Sequence, residues 1–415
     1  MLVEAWLPRA ARAHPWREAI NGLSYAQLVA RARAGVAALR AQGVHEGDLV
    51  GLALEPGTEF VVAMHATWGV GAVAVPVDPR LGEAERAHVQ RSCRVVLDAP
   101  LPAEGDGGLI DAHDLRAPAA IIHTSGSTAA PKPIELTFGN WLWSALGSAV
   151  ALGLDRDERW VCPLPLSHVG GLSIVVRSAI YGTTARVLAR FDVEAVLAEL
   201  RTATLVSLVP TTLARLLDAG WQHPAHLRTV LLGGAAIPPA LLERAAAAGV
   251  PVTPTYGMTE ACSQIATNGI PLFCTRVRIA PDGEIVVGGP TISPGVGGAL
   301  HTGDLGRIDA RGHLHITGRK ADTIITGGEN VAPTEVEAVL AEHPAVAEAA
   351  VHGRPDPEWG EAVVATVVLR GEATEAELRA FAAARLAAYK VPKAIAFTDA
   401  LPRTSSGKLL RRELG

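Results

Sequence analysis

Short β-branched and apolar runs alternate along the chain with segments whose apolar residues recur every three to four positions. Leu28, Ala32, Val36 and Leu39 fall on one helical face behind Ser24-Tyr-Ala-Gln27, a capping box, and Gly43 can close that helix. Strand-like runs occupy 48–54 (DLVGLAL), 72–78 (AVAVPVD), 120–126 (AIIHTSG), 204–210, 229–235 and 250–257. Helical runs such as VEAVLAELRTA and PALLERAAAAG separate the later ones. This alternation predicts an α/β fold with mainly parallel sheets packed by helices. The most apolar window, FVVAMHATWGVGAVAVPV, contains His65 and is broken by Gly69, Gly71 and Pro76. It reads as a buried helix followed by a buried strand rather than a membrane span. After about residue 275 the pattern changes to strands joined by turns (GEIVVGGP, GRIDARGHLHITG, VVATVVLRG). Two helices are expected behind capping boxes at Thr334–Glu337 and Thr374–Glu377. The expected organisation is a large domain over 1–319 that ends in a small sheet subdomain, then a small mobile α+β domain over 320–415.

Composition removes several function classes. The 415 residues are 49% hydrophobic and 19% charged, enough apolar content to bury a large core, with a formal net charge of −5. There is no basic excess, so a nucleic-acid partner is not expected. The cysteines at 93, 162, 262 and 274 show no CxxC spacing and frame neither a zinc site nor a disulfide scaffold, which fits a reducing, cytoplasmic setting. The first sixteen residues hold Glu4 and several arginines with no long apolar stretch, so no secretory signal is read there. Lysine is confined to positions 132, 320, 390, 393 and 408, every other basic residue being arginine. A compact ammonium at some of these positions is one reading and chance retention the other.

The segment His123-Thr-Ser-Gly-Ser-Thr-Ala-Ala-Pro-Lys-Pro133 carries the most chemistry. A buried strand runs straight into small hydroxyl residues, a glycine and a lysine. Backbone N–H groups, the hydroxyls of Thr124, Ser125, Ser127 and Thr128, and the Lys132 ammonium can converge on a polyphosphate around Gly126. The spacing is not GxxxxGK[ST], so a P-loop NTPase is excluded, and a Ser/Thr-rich surface turn stays the alternative.

TSGSTAAPK resembles the phosphate loop of the ANL superfamily of adenylate-forming enzymes: acyl-CoA synthetases, adenylation domains and luciferases. PLPLSHVGG (163–171), LLGGAAIP (231–238), PTYGMTEACSQ (254–264), the 301–331 segment from HTGDLG to GGENV, and LPRTSSGKLLRREL (401–414) are similar to that superfamily's successive motifs, in order. The resemblance implies that a carboxylate attacks the α-phosphate of ATP, giving an acyl-adenylate and pyrophosphate, and that a thiol such as CoA then displaces AMP. It implies Mg²⁺ held by Glu260, and adenylation catalysed by Lys408. It further implies ATP binding by Thr124–Thr128, Lys132, Gly234, Ala235, Thr255, Tyr256, Gly257, Met258 and Thr259, with Asp304 on the ribose and Arg319 on ribose or phosphate. Lys320 and Ala321 match the pivot about which the small domain swings between the two steps. Gly327, Gly328 and Glu329 match a pantetheine passage for CoA. Each residue also has a plain structural reading: Glu260 as a helix-start acid, Asp304–Arg319 as an ordinary ion pair, Tyr256 as core, the glycines as a turn.

The chain departs from the superfamily at Ala129 and Pro133, where glycine is usual. A positive φ at Ala129 would cost about 1 kcal/mol, and Pro133 removes a donor. Within the superfamily, 167–182 and 256–267 most resemble the o-succinylbenzoate–CoA ligases of menaquinone synthesis. That branch implies a substrate with a second carboxylate. Arg177, on an apolar run, is the candidate to meet it, with His168 near the activated carboxyl and gating the pocket, and Gly233 and Gln264 alongside. The alternatives are a surface Arg177 paired with an acid, and His168 as a core histidine. A broader acyl- or aryl-CoA synthetase, a stand-alone adenylation enzyme feeding a carrier protein, and a non-catalytic nucleotide-binding regulator on the same fold are the competing functions. The expected partners are a small carboxylic acid, ATP and CoA. Relatives are often dimers, which leaves a homodimer open.

Overall fold

The alternating apolar runs form two sheets in the computed structural model, which describes residues 1–124, 131–222, 226–403 and 409–414, the Arg412 side chain excepted. The described chain divides into two compact units, one made of 1–234, 244–276 and 287–300, the other of 235–243, 277–286 and 301–415.

The first unit holds a nine-stranded sheet. Its order is Ile270–Pro271, Ser263–Thr267, Val252–Met258, Thr229–Leu232, Leu205–Leu208, Arg159–Cys162, Thr184–Val187, Glu18–Ile20 and Leu23–Ser24. The six strands from Val252–Met258 to Glu18–Ile20 run parallel, and the flanking ones antiparallel. A five-stranded sheet in the same unit runs Val95–Leu97, Leu49–Leu52, Val73–Pro76, Pro118–Thr124, Lys132–Thr137, parallel except for the last strand. The mainly parallel α/β expectation is therefore met. Parallel strands buried on both faces explain why these runs are continuously apolar rather than alternating.

The apolar window is the helix Thr58–Val70, buried from Phe60 to Val70, followed by the strand Val73–Pro76. Its neighbour Tyr25–Ala41 begins at the expected Ser24/Gln27 capping box. The two helices approach closely at Gly35, where an added Cβ would lie 2.7 Å from the Ala66 Cβ. Beside them Trp6, Trp68, His113 and Phe138 pack edge-on or stacked, and Trp68 Nε1 donates to the Ala119 carbonyl (2.8 Å). No described helix is long and apolar enough to cross a membrane. All four cysteines are free thiols.

The second unit contains most of a sheet of Arg276–Ile279, Glu284–Gly288, Leu300–Ile308 and Leu314–Arg319, and all of another built on the long hairpin Val346–Asp356 and Gly360–Leu369. Ile324–Thr326 with Glu329–Val331, and the parallel strand Ala394–Phe397, pair onto that hairpin. The helices Pro333–Ala341 and Glu375–Ala383 cover a core that includes Val336, Leu340, Val351, Val363 and Leu378. The capping box at Thr374–Glu377 is formed. The one expected at Thr334–Glu337 is not: the helix begins at Pro333 with Ala332 as its cap. Proline suits a first helical position because its missing N–H needs no partner there. Thr334 donates instead to the Thr317 carbonyl, and Glu337 is taken up by Val351 N–H and Arg411.

Candidate active site

In parallel sheets, ligands gather outside the carboxyl ends of the strands. Three parallel strands of the nine-stranded sheet lead there into motif residues. Arg159–Cys162 leads to His168, Thr229–Leu232 to Gly233 and Gly234, and Val252–Met258 into Thr259 and Glu260. Pro118–Thr124 of the five-stranded sheet ends in the hydroxyl-rich segment. Thr124 pairs with Lys132 across the strands that bracket it. Ser125, Gly126, Ser127, Thr128 and Ala129 lie outside the described residues, as does Lys408. Pro133 sits on the return strand opposite His123.

The YGMTE motif is a tight reversal. Val252–Met258 runs antiparallel to Ser263–Thr267, with Gly257 opposite Gln264, Met258 opposite Ser263, and a register shift after Tyr256. The turn Thr259–Ala261 is completed by two residues with positive φ that are not glycine, Cys262 (53°) and Ser263 (93°). Such backbone costs about 1–3 kcal/mol per residue and persists only where surroundings fix it. Three contacts do so here. Ser144 Oγ donates to the Cys262 carbonyl (2.6 Å), Cys262 N–H to Thr259 (2.9 Å), and Ser293 N–H to the Glu260 carbonyl (2.8 Å). Asn140, one helical turn before Ser144, donates to the carbonyls of Pro290 and Ile292 and so fixes the segment that supplies Ser293. Asn140, Ser144 and Ser293 were not legible as site supports. The sequence signal that exists is the Thr137–Asn140 capping box, which sets the face Asn140 and Ser144 share.

Close approach shapes the neighbouring backbone. A Cβ on Gly233 would lie 2.7 Å from the Thr255 carbonyl oxygen, and Thr255 Oγ1 donates to Ala266 (3.1 Å). Tyr256, Met258, Thr259 and Glu260 are half-buried, and the Glu260 carboxylate makes no ion pair among the described residues. No cluster of three His, Cys, Asp or Glu occurs among the described residues. A lone carboxylate of this kind suits Mg²⁺, which keeps waters and phosphate oxygens as its other ligands.

Arg177 is 1% exposed. Its Nη2 donates to Ser144 Oγ (3.1 Å), its guanidinium lies 5.7 Å from the Trp160 ring centroid, and its Nε has no partner among the described residues. Among the described residues no carboxylate neutralises it, and burial pushes its pKa down. It is therefore not a surface arginine paired with an acid. Gln264, also 1% exposed, donates from Nε2 to Thr267 Oγ1 (2.9 Å) and leaves Oε1 unpartnered.

His168 caps the helix Val169–Tyr181 and is 39% exposed, so it is not a core histidine. Its Nε2 lies 3.4 Å from Arg80 Nη2 and 3.7 Å from Asp78 Oδ2. Asp78 accepts from Arg80 Nε (2.8 Å), Nη2 (2.6 Å) and N–H (3.0 Å), and from Ser167 Oγ (3.0 Å). Burial alone would raise the Asp78 carboxyl, but these bonds and the Arg80 charge hold it at about 2. Asp78, Arg80 and Ser167 went unread in the sequence, because only a contact across 89 residues reveals them.

In the second unit Asp304 and Arg319 face each other across an antiparallel pair, with Arg319 Nε 3.0 Å from Asp304 Oδ1. Asp304 N–H donates to Thr302 Oγ1 (3.1 Å). Lys320 pairs with Asp282 (2.6 Å) and Glu284 (3.6 Å), which raises its pKa, and Ala321 is exposed beside it. Gly327 and Gly328, both at positive φ, join Thr326 to Glu329 in a two-residue hairpin turn. Gly327 N–H donates to the Trp359 carbonyl (2.8 Å). Ala235 belongs to this unit and Gly234 to the first.

Comparison with known proteins finds relatives along nearly the whole chain. The family described as AMP-binding enzyme matches residues 7–98 and 99–297, and the AMP-binding enzyme C-terminal domain matches 335–408. A 2-succinylbenzoate–CoA ligase of Bacillus cereus (strain ATCC 10987 / NRS 248) is 37% identical over 99% of this chain and 97% of its own. Two solved structures of o-succinylbenzoate coenzyme A synthetase from Bacillus subtilis are 34% identical. The complex with ATP and magnesium ion has a TM-score of 0.91 with all of both chains covered. The complex with the acyl-adenylate intermediate OSB-AMP has 0.90, covering 100% of this chain and 98% of that one. With both halves of the sequence matched and the fold shared from end to end, the chain belongs to the AMP-binding enzyme family.

Proposed function

We propose that this protein is an ATP-dependent acid–CoA ligase, with o-succinylbenzoate as its acid. The observation that carries the reading is the end-to-end match to 2-succinylbenzoate–CoA ligases, over 99% of the chain at 37% identity. The substrate carboxylate attacks the α-phosphate of ATP, pyrophosphate leaves, and the thiol of CoA then attacks the acyl carbon and releases AMP. The first step brings an anion onto a polyanion, so positive charge and oriented donors must meet it. Mg²⁺, when bound, neutralises phosphate charge, and Glu260 is the residue to hold it.

In this reading Thr124, Ser125, Gly126, Ser127, Thr128 and Lys132 receive the triphosphate. Gly233, Gly234, Ala235 and Thr255–Thr259 flank the base. Asp304 takes the ribose hydroxyls with Arg319 beside it, and Lys408 stabilises charge on the α-phosphate. Arg177 supports the dicarboxylate assignment because it is a desolvated cation without an acid among the described residues. His168, oriented by Asp78 and Arg80, stands at the activated carboxyl. The pivot is Lys320–Ala321, and Gly327, Gly328 and Glu329 receive pantetheine. The setting we infer is the cytoplasm, which the four free thiols support. A homodimer is the assembly state for light scattering to test.

A coupled pyrophosphate assay against mono- and dicarboxylic aromatic acids tests the reading. The expected result is pyrophosphate release with o-succinylbenzoate in the absence of CoA, and AMP with thioester once CoA is added. Turnover confined to monocarboxylic acids makes the protein a broader aryl-CoA synthetase. ATP binding without turnover of any acid makes it a regulator.

A further inference from the structure

The described residues that flank 404–408 are held within the second unit. On one side Arg403 forms an isolated antiparallel bridge with Leu409, Leu410 N–H donates to the Pro402 carbonyl (2.9 Å), and the Arg403 side chain pairs with Glu348. On the other side stands Arg411, three residues after Lys408. Its Nη2 donates to both oxygens of Glu337 (2.7 and 2.9 Å), its Nη1 to Asp322 Oδ2 (2.9 Å) and its Nε to the Val351 carbonyl (3.2 Å). Glu337 accepts in turn from Val351 N–H (2.8 Å), so one carboxylate anchors both the guanidinium and the long hairpin. Arg411 and both acids are less than a third exposed.

Asp322 immediately follows Lys320–Ala321. We infer that Arg411 is a positioning residue for the adenylation step, tying the chain just beyond Lys408 to the residue just beyond the pivot. This inference rests on the proposed roles of Lys408 and the pivot.

The physical need is plain. A lysine ammonium on a four-carbon stem has many rotamers, and catalysis requires its backbone to be fixed to about half an ångström. Arginine suits the task because its planar fork meets two carboxylates at once, which a lysine does not. The contact also carries a change of backbone angle at 320–321 to the tail through a packed, charged junction rather than through a loose strand. Glu337 explains its own sequence anomaly in this light: it forgoes the capping box to serve as the fork's anchor.

The test separates the two half-reactions in the full-length protein. Step one is read as o-succinylbenzoate-dependent pyrophosphate release without CoA. Step two is read as thioester formation from synthetic acyl-adenylate and CoA. Arg411→Ala should lower kcat of step one by about 10²-fold, with KM for ATP and acid within about twofold and step two within about threefold. Arg411→Lys should recover about a tenth to a third of step one. Asp322→Asn, which cuts only the tie to the pivot, should reduce step one by about fivefold and spare step two, and it stands in if Arg411→Ala does not fold. Equal loss in both steps, or no loss in either, overturns the clamp. Lys408→Ala is the control for the underlying reading. If it abolishes step one while the Arg411 and Asp322 variants leave it intact, the clamp alone falls. If it spares step one, the assignment of Lys408 falls, and the clamp with it.

Discussion

Gly257→Ala is the sharpest perturbation the site offers. An added Cβ would sit 1.7 Å from the Ser263 carbonyl oxygen, 2.6 Å from its carbon and 2.9 Å from the Gln264 Cα. All three are backbone atoms of the facing strand, so no side chain can turn aside. Cβ atoms do not approach closer than 3.0 Å, and the strands must part by about 1.3 Å to make up the shortfall. That displacement opens the pairing that sets Cys262 and Ser263 at positive φ, and it moves Glu260, three residues away. Overpacking of this kind costs about 1–3 kcal/mol in stability. If the turn has the proposed role, a misplacement near 1 Å costs about 10²-fold in rate. The assay is pyrophosphate release with saturating ATP and acid, run beside a thermal melt. Gly108→Ala is the control, because its Cβ meets nothing within 4 Å and its φ is not positive. Gly257→Ala with pyrophosphate release and melting both unchanged would refute the argument from close approach, and with it the picture of an over-determined turn.

Three further outcomes follow from contacts in the structure. Ser144→Ala strips the Cys262 carbonyl and the Arg177 fork of their shared partner, so stability should fall by about 1–3 kcal/mol and the Mg²⁺ concentration for half-maximal pyrophosphate release should rise; an unshifted Mg²⁺ curve uncouples Ser144 from Glu260. Arg177→Met removes a buried charge with no acid partner among the described residues, so melting should hold or rise while KM for o-succinylbenzoate increases about tenfold or more and KM for ATP stays put; an unchanged acid KM takes Arg177 out of the pocket. Burial pushes His65 down to about 3 and His113 down to about 4. Both stay neutral in the fold while the unfolded chain takes up protons below about 6.5, so stability is full above that pH and falls below it by about 1.4 kcal/mol per pH unit per histidine down to about 4. His113→Phe should flatten the slope of melting temperature against pH between 6.5 and 4, and parallel slopes would contradict that reading.

What the sequence disclosed depended on how far each interaction reaches along the chain. The Ser24–Gln27 and Thr374–Glu377 boxes close within four residues, so local pattern was enough. Thr334–Glu337 had the same pattern and failed, because Glu337 is claimed by Arg411, 74 residues on. The apolar run around Arg177 left a surface arginine paired with an acid open, and its actual partner Ser144 lies 33 residues earlier and offers a hydroxyl, not a charge. Asp78 ends the strand-like run 72–78, and only the fold brings Ser167 and His168 to it. The steric demand at Gly257 belongs to no periodicity at all, since it comes from the register shift after Tyr256.

The helix Phe138–Leu152 links two of these motifs. Its cap, Thr137, is the last residue of the strand that returns from the hydroxyl-rich segment. Asn140 and Ser144, a turn apart, hold the backbone at 290–292 and at Cys262. Small residues let the helix come near enough to do so: a Cβ at Gly147 would lie 2.9 Å from the Cys274 sulfur. A larger side chain there would gain apolar contact but push Ser144 away from the Cys262 carbonyl, and a hydrogen bond weakens steeply with such a shift. The small residues on this face thus trade core volume for a fixed distance between the return strand of the hydroxyl-rich segment and the turn that holds Glu260.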